Sequence, residues 1–398
     1  MKRIHLLYII AGITLLAGCR KGFQELQPMP TGIKTVYPAH FLKHEAGNVD
    51  LTIVNINTGQ EFKIQTDAQG RITVPGLING EYNVHGFKMV SAEEAYELTK
   101  VADPFPVNGT SRIIVNTENG ETVIEMIGSN AKALLFKEIY YTGSRTRSNG
   151  TYFSDQYYEI YNNTDTVMYA DGLCIGNTGG APGNSPTART WGFRDETRFV
   201  YMQNVWMIPG NGRLHPIPPG SSIIIAQDGI NHTTDPLGNS ESPVDLGLGV
   251  ANWESYVPRA DNRDLDSDVP NLQAVYLGSV GFDWLTSVFG AGMVIFRHKD
   301  VATLPLFTEP GATSSAQFMQ VPVDSVFDAV DCLANPTAIN FKRIPTSIDA
   351  GFNSCTGTYT GEALRRKVAR VENGRRVLQD LNNSTVDFEM VKPPVVRW

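Results

Sequence analysis

Between residues 49 and 87 the chain reads VDLTIVNINTGQEFKIQTDAQGRITVPGLINGEYNVHGF, and its apolar positions fall in short alternating runs. Leu51, Ile53 and Ile56 mark one strand and Phe62 and Ile64 the next. Residues 67–70 turn, Ile72 and Val74 form a third strand, and Gly76 and Gly80 bracket the turn before Tyr82 and Val84. Runs of this length and period predict a β-sandwich in which one side of each strand faces a core. Two further strands, 113–116 and 122–127, separated by Glu118-Asn119-Gly120, close this unit near residue 128.

A second series follows: ALLFKEIYY at 133–141, YYEIYNNT at 157–164, ADGLCIG at 170–176 and IPPGSSIIIAQD at 217–228. From 231 to 270 the periodicity lapses into a polar, Pro-punctuated stretch, and an insertion of that length inside a sandwich is uncommon and often functional. Apolar sequence returns at 282–296, with a buried strand expected over 293–296. The pattern over 323–333 predicts a short helix, and the end of the chain gives two strands joined near Asn373-Gly374. The expected fold class is all-β, two tandem β-sandwich domains at 33–130 and 131–398, the second with long loop insertions, chiefly at about 231–285.

The first segment bears on location. In MKRIHLLYIIAGITLLAGC, Lys2 and Arg3 precede an apolar run over 6–16, and small residues precede Cys19. These are the parts of a secretory signal, and the run is short for a membrane span. LLAGC resembles a bacterial lipobox, which implies a signal peptide over 1–19, lipidation of Cys19 and a lipid tether to the membrane. Residues 20–32, polar with Pro28 and Pro30, read as the linker. Residue 20 is Arg rather than the Asp that retains such proteins at the inner membrane, so the expected location is the outer membrane, with either face open.

Composition narrows the partners. The 398 residues hold 33 Lys plus Arg against 41 Asp plus Glu, a net charge of -8 that speaks against a nucleic-acid partner held through phosphates. Of the four cysteines, Cys332 and Cys355 sit in loop-like sequence 23 residues apart and are a candidate disulfide in an oxidising compartment, while Cys174 in YADGLCIG reads as a buried thiol.

No nucleophile elbow, zinc-protease helix, C-x-x-C pair or phosphate-binding loop is present, and no catalytic residue is assigned. His40 and His44 could share a face but lack an evident third ligand. The densest oxygen donors are Asp261, Asp264, Asp266 and Asp268, alternate carboxylates able to wrap Ca²⁺, although an EF-hand's glycine and distal Glu are missing and a solvated acidic loop is the simpler expectation. Trp253, Tyr256 and Trp284 flank that stretch. Exposed together they would stack on a glycan or anchor a protein partner; buried, they would plug the core.

Several segments resemble known families. Gly70, Gly76, Leu77, Gly80 and Tyr82 match the turn-and-strand pattern of carboxypeptidase regulatory-like and Cna-B-like domains, which implies a prealbumin-like or Ig-like sandwich serving as a spacer. KEIYYTG, YYEIYNNTD, ADGLCIG and IPPGSSIIIA resemble the lamin tail domain, an Ig-like sandwich, with Glu159 and Asn162 matching positions that bond strand and turn backbone. With SPVDLGLGVANWESY, DVPN and RRKVARVENGRRVLQDLNNSTVDF, nearly the whole chain resembles a family of uncharacterised Bacteroidota lipoproteins with a domain of unknown function. The resemblance implies a cell-envelope lipoprotein and supplies no activity. The function it leaves in first place is a non-enzymatic outer-membrane binding or accessory module for an envelope partner, such as a receptor or transporter. The alternatives are a carbohydrate-binding lipoprotein, or a glycan or peptide hydrolase using carboxylates of the insertion.

Overall fold

Clean alternation survives in the N-terminal half and fails in the C-terminal half, and burial explains the difference. In the computed structural model the described residues are 28–37, 41–99, 105–116, 120–128, 134–261, 263–264, 266–279, 281–372 and 374–398; the lipobox and Cys19 lie outside them, as does His40. The architecture is all-β. The first sandwich faces a three-stranded sheet (Arg71–Val74, Thr31–Val36, Thr122–Glu125) against a five-stranded one (Glu61–Gln65, Asp50–Asn55, Gly80–Val90, Phe105–Val115, Ile127–Gly128). Ile33, Leu51, Ile53, Leu77, Tyr82 and Val84 meet between them.

At the predicted turn, Gly70 has φ +74°, and a Cβ there would lie 2.4 Å from the Thr35 carbonyl oxygen, so only glycine fits without a backbone shift. Tyr82 is buried and its hydroxyl donates to the Ile78 carbonyl at 3.1 Å, closing the turn that leads into its strand. One element escaped the sequence pattern. The helix Ala92–Thr99 puts Ala95 and Leu98 into this core, and the Ser91 hydroxyl accepts from the Glu94 amide, so S-x-x-E at 91–94 was the legible start signal.

The second sandwich has a six-stranded sheet in the order Trp253–Glu254, Ser222–Ala226, Tyr157–Asn162, Leu134–Tyr140, Ala363–Arg366, Phe388–Val391. Opposite it lies a seven-stranded sheet in the order Leu306–Thr308, Gln317–Pro322, Phe199–Met207, Cys174–Thr178, Gly292–Phe296, Val326–Asp331, with Gln273–Leu277 paired beside Phe199–Met207. Phe136, Tyr158, Ile175, Trp206, Trp284 and Ile295 are among the residues filling the space between them. Both outer faces are covered too. Val200, Val294 and Val321 pack against Ile344 and Ile348, and Tyr157, Ile224 and Ala226 pack against Val244, Leu246 and Val269. Strands buried on both faces lose the apolar–polar alternation, hence LLFKEIY and YYEIYN, in which even Lys137, Glu138 and Glu159 are buried.

Two expectations are corrected. Residues 323–333 form a 3-10 turn, Val323–Ser325, and then the strand Val326–Asp331 rather than a helix. The helical spacing arose because Asp328 and Asp331 are buried, charged positions inside a strand that is otherwise apolar on both faces. The insertion is not a structureless loop either. It supplies the edge strand Trp253–Glu254, which pairs in parallel with Ser222–Ala226, and a cover of apolar side chains over the outer face.

Arg366 joins the two sheets. Its guanidinium, 1% exposed, bonds Asp328 on the facing sheet, the Phe136 carbonyl at 2.8 Å and the Gln379 carbonyl at 3.0 Å, and Asp380 and Asp387 lie within 3.7 Å. Replacing Arg366 by Met would strand buried carboxylates without their counter-charge, at a cost of about 3–5 kcal/mol. Urea denaturation of Arg366→Met measures this; a loss below about 1 kcal/mol would show that the guanidinium is not a strut.

Candidate functional site

Three carboxylates converge where the insertion leaves and rejoins the sheet. Asp228 follows the strand Ser222–Ala226, Asp264 lies within the insertion and Asp283 on its return, and one oxygen from each falls within 4.8 Å of the others. They are 7%, 5% and 4% exposed. The chain positions each one: Asp264 Oδ2 accepts from the Val257 amide at 2.7 Å, Asp283 Oδ2 accepts from Gln227 Nε2 at 2.9 Å, and the Ser154 hydroxyl bonds Asp228. Burial, reinforced by the neighbouring carboxylates, pushes Asp228 and Asp283 above the usual carboxyl range. Neither has an ion pair among the described residues, and Asp228 Oδ1 and Asp283 Oδ1 have no hydrogen-bond partner there.

The expected site residues divide sharply. Of Asp261, Asp264, Asp266 and Asp268, only Asp264 turns inward. Asp261 is exposed and paired with Arg259, whose hydrogen bonds hold its carboxyl down to about 2; Asp266 accepts from Asn271, and both it and Asp268 face solvent. The four-residue cation loop is therefore corrected to a different set, because Asp261 is taken up by Arg259 and Asp266 by Asn271 at the surface while only Asp264 is buried. Asp228 and Asp283 carried no local signal, since they are 36 and 19 residues from Asp264.

The aromatic platform is corrected as well. Trp253 and Trp284 are 5% and 1% exposed and belong to the main core, Trp284 donating Nε1–H to Asn177 at 2.8 Å beside Tyr158 and Trp206; Tyr256 is half-buried. Rings enclosed this way cannot stack on a sugar. Cys332 and Cys355 lie in the same core cluster as free thiols, so the expected disulfide is not formed; the Tyr141 hydroxyl accepts from the Cys355 amide at 3.0 Å, and burial pushes the Cys355 thiol up to about 12. Cys174 is a buried thiol, also pushed up to about 12 by burial. Asn162 does bond turn backbone, donating to the Thr166 and Ile217 carbonyls, while Glu159 is buried and pairs with Lys137 at 2.9 Å. His44 is exposed.

Open surface lies elsewhere. A cleft of about 380 Å³ runs between the two sandwiches, with Thr52, Asn83 and Arg112 on one wall and Arg194, Ile339 and Lys342 on the other. Its floor is tied by Thr110 Oγ1 and Thr346 Oγ1 at 2.6 Å, and the Asn108 side chain donates to the Leu381 carbonyl at 2.8 Å.

The base of the insertion is held by a second buried carboxylate. Asp155 Oδ2 accepts from Tyr140 at 3.0 Å and from Ser144 and Ser242 at 2.7 Å each, while Oδ1 has no hydrogen-bond partner among the described residues. Burial outweighs these bonds and pushes its pKa up from 3.8 to about 6. The folded state therefore retains a proton that the unfolded chain releases earlier. This contribution is complete below pH 3.8 and is lost as the pH rises through about 6, up to ~3 kcal/mol. In Asp155→Asn, which keeps an acceptor and removes the charge, the urea midpoint should fall less between pH 5 and pH 8 than in the wild type; parallel profiles would place the titration elsewhere.

All three carboxylates of the cluster fall inside the segment, residues 218–395, that matches the family profile described as a protein of unknown function (DUF4876). Among solved structures, the chain is similar to a DUF4876 family protein from Bacteroides thetaiotaomicron at 29% identity and a TM-score of 0.59, covering 91% of this chain and 94% of that one. A chain described as a putative adhesin from Bacteroides ovatus aligns at 11% identity over 42% of this chain and 62% of its own, with a TM-score of 0.20, too low to carry an argument. No curated protein matches. Residues 218–395 are thus similar to a domain of unknown function, DUF4876, and the chain over most of its length is similar to a Bacteroides protein described as belonging to that family.

Proposed function

We propose that this protein is a non-enzymatic binding or accessory module of the cell envelope, tethered through lipid on Cys19 at the outer membrane. The observation that carries the binding reading is the cleft between the sandwiches, because its walls come from both units and clefts at domain interfaces are where ligands preferentially bind. It mixes hydrogen-bonding side chains with an exposed apolar rim at Ile339, 38% exposed, which suits an extended segment of an envelope receptor or transporter. The hydrolase alternative needs two carboxylates facing a substrate-sized opening, and the converging set in the insertion is sealed from solvent. The glycan alternative loses its stacking platform with the burial of Trp253 and Trp284. The lamin-tail likeness of the second sandwich remains part of the proposal on its sequence segments alone.

Gentle detergent extraction and affinity purification from the native envelope should recover a stoichiometric partner with the wild type. Ile339→Asp and Asn340→Trp, both at exposed positions of the cleft, should deplete it while leaving the urea midpoint within the roughly 0.5 kcal/mol of ordinary surface substitutions. A protein recovered alone, or an unchanged partner in both variants, would defeat the cleft as the contact. Cys19→Ser should abolish incorporation of labelled fatty acid and move the chain from the membrane to the soluble fraction; continued membrane retention would count against the lipid anchor.

A further inference from the structure

We infer that Asp228, Asp264 and Asp283, with the side-chain carbonyl of Gln227, form a binding site for one hard divalent cation, Ca²⁺ in first place. Cation sites of this class are built from oxygen ligands at 2.3–2.6 Å, so two oxygens on opposite sides of a Ca²⁺ ion are at most about 5 Å apart. One oxygen from each of the three carboxylates meets that span. Gln227 supplies an independent observation. It is 1% exposed, its amide head stands against Asp283, to which Nε2 donates at 2.9 Å, and the Oε1 of that same amide has no hydrogen-bond partner among the described residues. A buried amide oxygen without a donor is costly, and a cation beside it removes the cost.

The surroundings fit a cation better than a proton store. Each carboxylate already has one chain donor fixing its orientation, and the next layer is ordered. Glu254, 0% exposed, accepts from the Gly229 amide at 2.6 Å and the Ser267 amide at 2.8 Å, and the carbonyl of Asp228 meets His232 Nε2 at 3.1 Å, with His232 Nδ1 against the Tyr152 hydroxyl at 2.7 Å. Supporting hydrogen bonds of this kind keep ligand oxygens aimed at a metal. A cation here ties the departure, the interior and the return of the insertion together, fastening the cover over the outer face of the six-stranded sheet. Nothing in this depends on the insertion or the cleft meeting a partner.

The test uses the whole purified chain at constant pH 7.5. Metal content by plasma mass spectrometry should be near one ion per chain before chelation. Thermal unfolding should fall after EDTA and dialysis and recover with millimolar Ca²⁺, with Mg²⁺ as a separate arm. A response to either ion supports the site, and the stronger response identifies the ion. Asp283→Asn should weaken calorimetric affinity at least tenfold, whereas Asp261→Asn, at the exposed carboxylate, should leave it unchanged. If Asp283→Asn does not fold, Gln227→Leu provides the same comparison. No bound metal together with no thermal shift for either ion would overturn the inference, as would equal loss of affinity in Asp261→Asn.

Discussion

Charge buried between two sheets is tolerable only when an opposite charge is held against it, and this constraint organises the second sandwich. Arg366 reaches from the six-stranded sheet to Asp328 on the facing sheet, with Asp380 and Asp387 beside it. Arg343, 4% exposed, bonds Asp331 at the end of the strand Val326–Asp331. Burial alone would raise the Asp331 carboxyl, yet the Arg343 guanidinium holds it below its usual value. Such pairs contribute little net stability compared with apolar packing, but Arg366 ties one sheet to the other and Arg343 ties the loop after Ala338–Phe341 to the strand Val326–Asp331.

A sheet pinned on its inner face still has to cover its outer one. The insertion does this for the six-stranded sheet, laying Val244, Leu246, Ala251 and Val269 over Tyr157, Ile224 and Ala226 and adding an edge strand. The long polar stretch therefore has a structural role first, its polar residues divided between the side facing water and a few buried anchoring points. The anchoring points are polar and buried: Asp155 with Tyr140, Ser144 and Ser242, His232 with Tyr152, and the three-carboxylate cluster. Buried groups of this kind are costly when left incompletely satisfied, and the cluster is where the cost is concentrated.

The site was legible only in part. Asp264 was visible as a member of an acidic run, but the run pointed to Asp261, Asp266 and Asp268, which face solvent. Its actual companions are 36 and 19 residues away, and one carboxylate in a loop resembles any other until the chain closes. The aromatic residues failed for a related reason: Trp253 and Trp284 flank a polar stretch in the sequence but lie on its core-facing side.

The alternation of residues 49–87, the turn at Gly70 and the short aromatic and β-branched runs of the second half were enough to determine an all-β chain of tandem sandwiches, because strand period and turn chemistry are local properties. Local sequence also marked where a helix begins at Ser91, although periodicity alone passed over it. The strand at Val326–Asp331 could not be decided locally, since its buried aspartates make sense only opposite Arg366 and Arg343. Which carboxylates meet, which tryptophans are enclosed and whether Cys332 and Cys355 bond were settled by tertiary structure. Those outcomes depend on distances between residues far apart in the chain, and only the packing of one sheet against another sets them.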